Sequence, residues 1–88
     1  MSATAEAIRQ RLAVLEPETL EIVDQSAAHA GHAGAASGGG HFRLTIVSNR
    51  FAGMNAVARH RAIYQYLGDL MSGRIHALSI TALAPSEL

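Results

Sequence analysis

The 88-residue chain contains no cysteine and no lysine. Without cysteine it forms no disulfide, offers no thiol nucleophile and cannot hold an iron–sulfur cluster on thiolates of its own. A reducing compartment is thereby permitted, and we expect the protein in the cytoplasm. No run of about 18 apolar residues is present, which excludes a membrane-spanning helix and makes a membrane an unexpected partner. The usual catalytic patterns are missing as well: no G-x-S-x-G, no H-E-x-x-H, no Ser-His-Asp spacing, no pair of carboxylates placed for acid–base work. The glycine-rich run before Phe42 lacks the Lys-Ser/Thr ending of a phosphate-binding loop and joins strand to strand, not strand to helix. We therefore expect no enzymatic activity.

Charge is scarce and unevenly spread. Charged residues make up 16% of the chain and the formal net charge is zero, which argues against tight non-specific binding to nucleic acid, where many phosphates must be neutralised. Glu16, Glu18, Glu21 and Asp24 gather early, whereas five of the six charged residues from Arg43 to Arg74 are arginines, opposed only by Asp69. The apolar share is 49%, ordinary for a globular protein although much of it is alanine. A chain this short is expected to form a single domain, residues 1–88, that hides roughly 60–65% of its unfolded surface.

Periodicity predicts the order α-β-β-α-β. The opening "MSATAEAIRQRL" is amphipathic with two arginines, as in a transit peptide, but Glu6 and the lack of a long Ser/Arg-rich extension make it a helix of the fold. Ile8, Leu12 and Leu15 form one stripe of a helix over 3–15, capped by Ser2 or Thr4 and ended by Pro17. "TLEIVD" (19–24) reads as a strand and residues 25–41 as a flexible Gly/Ala/His-rich loop. In "FRLTIVS" (42–48), Phe42, Leu44 and Ile46 alternate with Arg43 and Thr45, a strand with one buried face. "NRFAGMN" is a turn, with Gly53 suited to a positive φ and Asn55 to a helix cap. Val57, Ile63, Tyr64, Leu67, Leu70 and Met71 predict a helix over 55–71 closed by Ser72–Gly73, and "IHALSITAL" (75–83) is the last strand. The first two strands are most simply antiparallel; the helix between the second and third makes those two parallel. The expected fold is α+β, a three-stranded mixed sheet with helices on one face.

This topology places His29, His32, His41 and His76 at one end of the sheet, since the loop feeds the start of strand two and parallel strands begin together. A single histidine in a glycine-rich loop is most often only solvated. Convergence changes the weighting, because imidazole is the commonest metal ligand and a mobile loop can bring one to a fixed partner. Two nitrogens make half of a site, the rest of which must come from water, further histidines or another molecule. His60 falls on the apolar stripe of the long helix and is expected to be buried and hydrogen-bonded; His41 is expected to serve the strand it introduces.

The segment "HFRLTIVSNRFAGMNAVARHRAIYQYL" with "IHALSI" after it resembles the BolA family. The likeness covers nearly the whole chain: His-Phe opening a strand that ends in Val-Ser, then Arg-Phe-x-Gly, Arg59-His60-Arg61, Ile63-Tyr64 and a late His-Ala-Leu carrying His76. It implies a fold similar to class II KH domains. It also implies partnership with a monothiol glutaredoxin in a shared [2Fe–2S] cluster, ligated by the glutaredoxin cysteine and a glutathione thiol on one side and by histidines of the BolA-like protein on the other. In that implied site His76 is one ligand. "DQSAAH" matches the family's Asp-x-Ser-x-x-His pattern and selects His29 as the second, with His32 in reserve. No cluster is then expected to stay tightly on the isolated chain, and any homodimer is weak. The second class of function is nucleic-acid binding with DNA as partner and a role in transcription regulation, through Arg50, Gly53, Arg59 and Arg61. "FAGMNAV" has only one of the two glycines of a KH-type G-x-x-G grip, so a solvated or partner-facing arginine face is favoured there.

Overall fold

The computed structural model describes residues 2–26 and 40–88. Helix α1 spans Ala3–Leu12, strand β1 Thr19–Asp24, strand β2 Gly40–Val47, helix α2 Ala56–Leu67 and strand β3 Ile75–Leu83. The sheet order is β1-β2-β3, with β1 antiparallel and β3 parallel to the central β2. Both directions follow from the connections, as the sequence predicts.

One face of the sheet carries the core. Phe42, Leu44 and Ile46 of β2 are buried against Ile8, Leu12 and Leu15 from the first helical segment, and against Ile63, Leu67 and Leu70 from the second. Leu20 and Ile22 of β1 and Leu78 and Ile80 of β3 complete the layer. Ser2 is the N-cap of α1, its Oγ accepting from the Ala5 N–H at 3.1 Å; Asn55 caps α2, its side chain accepting from Ala58 at 2.8 Å. The first helix tightens into a 3-10 turn over Ala13–Leu15 and stops at Glu16, whose φ of 50° is left-handed, just before Pro17.

The second helix differs from expectation. It ends at Leu67, not Met71, because Gly68 takes a φ of +50° and the chain continues as a 3-10 turn over Gly68–Ser72. The break is covered from α1: the Arg11 guanidinium donates to the Leu67 carbonyl at 3.1 Å and to Asp69 at 2.8 Å. This contact also holds the Asp69 carboxyl below its ordinary value. Val57 and Tyr64, expected on the apolar stripe, are 59% and 41% exposed. The buried stripe of α2 is instead Arg59, Ile63 and Leu67.

Ser48 is the hinge between sheet and helices. It is fully buried; its Oγ donates to the Leu15 carbonyl at 2.6 Å and accepts from the Arg50 N–H at 3.1 Å. Ser48→Ala strands the Leu15 carbonyl and the Arg50 N–H, and is expected to cost roughly 1–3 kcal/mol. Chemical denaturation of the two proteins measures it.

Candidate functional site

The start of β2 is fastened on both sides. The Gln25 N–H donates to the His41 carbonyl at 2.7 Å, and the His41 N–H donates to Ser26 Oγ at 3.1 Å. The Ser26 N–H in turn donates to Asp24 Oδ1 at 2.9 Å. Hydrogen bonding from Ser26 holds the Asp24 carboxyl below its usual range. The Asp-x-Ser element is therefore structural, closing the end of the β1–β2 pair and positioning His41. Opposite, the Gly40 N–H donates to the Arg74 carbonyl at 3.1 Å. A Cβ on Gly40 would collide with the Phe42 ring and approach Ser26 Oγ to 3.2 Å, so the close approach demands glycine.

The register slips at this point. Gly40 pairs with Ile75 and His41 with Ala77, leaving His76 as the extra residue on β3. Bulges of this kind re-aim side chains. Here His76, exposed, and His41, half-buried, come together with ring centroids 5.1 Å apart and planes tilted by 39°. A hollow of about 200 Å³ borders His41, lined by Gln25, His41, Phe42, Ala77, Leu78 and Ser79. The predicted meeting of histidines at the shared end of the parallel strands thus includes His41 and His76. His29 and His32 lie outside the described residues, as does most of the 25–41 loop. Assigning His41 only to its strand overlooks its neighbour. The available signal is the shared start of the two strands; the bulge that completes the approach leaves no mark in the sequence.

The arginine face is largely taken up by the fold. Arg59 is 7% exposed and points inward: its Nε donates to the Met54 carbonyl at 2.9 Å, and one terminal nitrogen to the Ala82 carbonyl at 2.9 Å. The same fork grips both Glu87 oxygens at 2.6 and 2.8 Å and lies 5.9 Å over the Phe51 ring. This corrects its expected role as a phosphate or partner contact. Glu87, which sequence reasoning does not single out, is held down to about 2 by the Arg59 hydrogen bonds and the Ala84 N–H. Arg50 is exposed and pairs with Glu16 at 2.5 Å, which raises its own pKa. Arg61 is exposed. Gly53 has a φ of +82°, as its place in the turn predicts. His60 is half-buried, not buried: the helix places Arg59 toward the core and His60 at its margin.

Residues 12–87 match the family model described as BolA-like protein. The chain is 45% identical over 87 residues to SufE-like protein 1, chloroplastic/mitochondrial, of Arabidopsis thaliana, covering 92% of this chain and 24% of that protein. It is 42% identical over 72 residues to the DNA-binding transcriptional regulator BolA of Vibrio cholerae, covering 82% of this chain and 65% of that one. It thus spans less than two thirds of either relative. Among solved structures, the BolA domain of SufE1 from Arabidopsis thaliana superposes with a TM-score of 0.85 at 42% identity, over 100% of this chain and 99% of that one. Sheet order, helix placement and the match over 12–87 agree: the chain belongs to the BolA family.

Proposed function

We propose that this protein shares a [2Fe–2S] cluster with a monothiol glutaredoxin and glutathione, to hand the cluster on or to sense iron and redox state. The carrying observation is His76: an exposed imidazole on a rigid strand, re-aimed by a bulge, in a chain without any thiolate. Imidazole is a fitting donor to the iron that the partner's thiolates leave open. The second nitrogen is assigned to His29, with His32 in reserve. The cluster is cargo, so the isolated chain retains none tightly. It is not a catalyst, at most a weak homodimer forms, and a reducing compartment, here the cytoplasm, suits the thiolates of the partner.

The test is anaerobic reconstitution of the chain with a monothiol glutaredoxin and glutathione, read by visible absorption and circular dichroism. A mixed complex with a spectrum distinct from that of the glutaredoxin alone is expected; an unchanged spectrum contradicts the proposal.

The name of the Vibrio relative supports a second reading, a KH-like DNA-binding regulator. Of the three arginines assigned to that reading, Arg61 is exposed and in no described ion pair, whereas Arg59 is buried and Arg50 is paired. A salt-titrated DNA-binding assay separates the two: affinity falling steeply with salt supports nucleic acid, and absence of binding at moderate salt excludes it.

A further inference from the structure

The His41–His76 pair already has the spacing of a chelate before any partner arrives. Two imidazoles sharing one tetrahedral zinc ion through Zn–N bonds of about 2.0–2.1 Å place their ring centres about 5 Å apart. The observed separation is 5.1 Å, and the 39° tilt is not that of a parallel ring stack. We propose that His41 and His76 together bind a single Zn²⁺ ion on this chain alone.

Three features support the site. Both imidazoles stand on paired strands, and the backbone of His41 is held at its N–H by Ser26 and at its carbonyl by Gln25. Imidazole is a preferred donor for zinc among divalent ions. His76 is exposed and a hollow of about 200 Å³ borders His41, which leaves room for water on the ion's remaining positions. Among the described residues no third His, Asp or Glu joins this pair in a group able to hold a metal ion. The described residues therefore supply two ligands, and water on the other positions would make an open and exchangeable site. If His76 also serves the cluster reading above, on which this consequence rests, zinc and the shared cluster compete for it. Zinc would then block cluster sharing.

The experiment titrates the full, isolated chain with Zn²⁺ against a colorimetric zinc chelator, with no glutaredoxin present. One ion per chain is expected. His41→Ala and His76→Ala should each weaken binding by at least about tenfold, since even the loss of an outer partner of a ligand costs that much. The double variant His29→Ala/His32→Ala should bind as the wild type does. Ring ¹⁵N shifts of the wild-type protein give an answer that does not depend on any variant folding: zinc should move the His41 and His76 rings. Shifts confined to His29, His32 or His60, unchanged affinity in folded His41→Ala, or no saturable binding would each overturn the proposal. A failure of cluster sharing would leave this result standing, and the reverse also holds.

Discussion

Arg59→Ala is expected to lower the melting temperature more than any other single arginine-to-alanine change in this chain, by roughly ten degrees or more. Its fork joins the turn after β2, the middle of α2, the end of β3 and the C-terminal turn through Met54, Ala82 and Glu87. Removing it takes a donor from the Met54 and Ala82 carbonyls and the guanidinium partner from the Glu87 carboxylate, which keeps the Ala84 N–H. Arg59→Lys should recover only part of the loss, because an ammonium cannot grip a carboxylate with two parallel bonds. Arg50→Ala, which breaks an exposed pair with Glu16, should change the melting temperature little. The pH dependence carries a definite sign. The Glu87 carboxyl drops from 4.5 to about 2 on folding, so its stabilising contribution is complete above about 4.5 and is lost as the pH falls toward 2. The stability gap between wild type and Glu87→Gln should thus be widest near neutrality and close steadily below pH 4.5. Thermal unfolding of both proteins across that range measures it. A gap that widens on acidification would remove Glu87 from this role.

His76→Ala carries the second large effect, on spectrum and not on stability. The ring is exposed and lies outside the core cluster, so its loss should leave the fold intact. In the reconstitution with glutaredoxin and glutathione, this variant should still associate with its partner while the distinctive spectrum disappears. The cluster then reverts to the optical signature of the glutaredoxin alone. His29→Ala should weaken the signature further than His32→Ala, if the Asp-x-Ser-x-x-His spacing selects the ligand. Replacing thiolates by two imidazoles also raises the reduction potential, so loss of His76 should lower it. A His76→Ala complex with an unaltered spectrum would remove this residue from the ligand set.

The topology is legible in the sequence because its signals there are strong and local. The alternation of Phe42, Leu44 and Ile46 with Arg43 and Thr45 sets the buried face of β2, and connection lengths set both strand directions. The caps at Ser2 and Asn55 are legible for the same reason. The differences lie where tertiary contacts override a local pattern. Gly68 stops α2 early with its positive φ, and Arg11, far away in sequence, donates to the freed carbonyls of Tyr66 and Leu67. Arg59 is charged and so is expected outside; a carboxylate 28 residues later makes its burial tolerable. His60, on the apolar stripe by spacing, yields the buried position to that arginine. At the candidate site the shared strand end is readable, whereas the bulge that sets His76 beside His41 depends on how two strands pack. Much of the family signature is explained by the fold: Ser48, Phe51 and Arg59 are buried supports, whereas His76 is exposed.

The central claim is that imidazole nitrogen from this chain binds the shared cluster. The direct measurement is pulsed electron paramagnetic resonance on the reduced mixed complex, with this chain alone labelled with ¹⁵N-histidine. A strongly coupled ¹⁵N signal that is lost in His76→Ala is the predicted result. A spectrum without coupling to labelled nitrogen, in a complex that still holds its cluster, would contradict the claim.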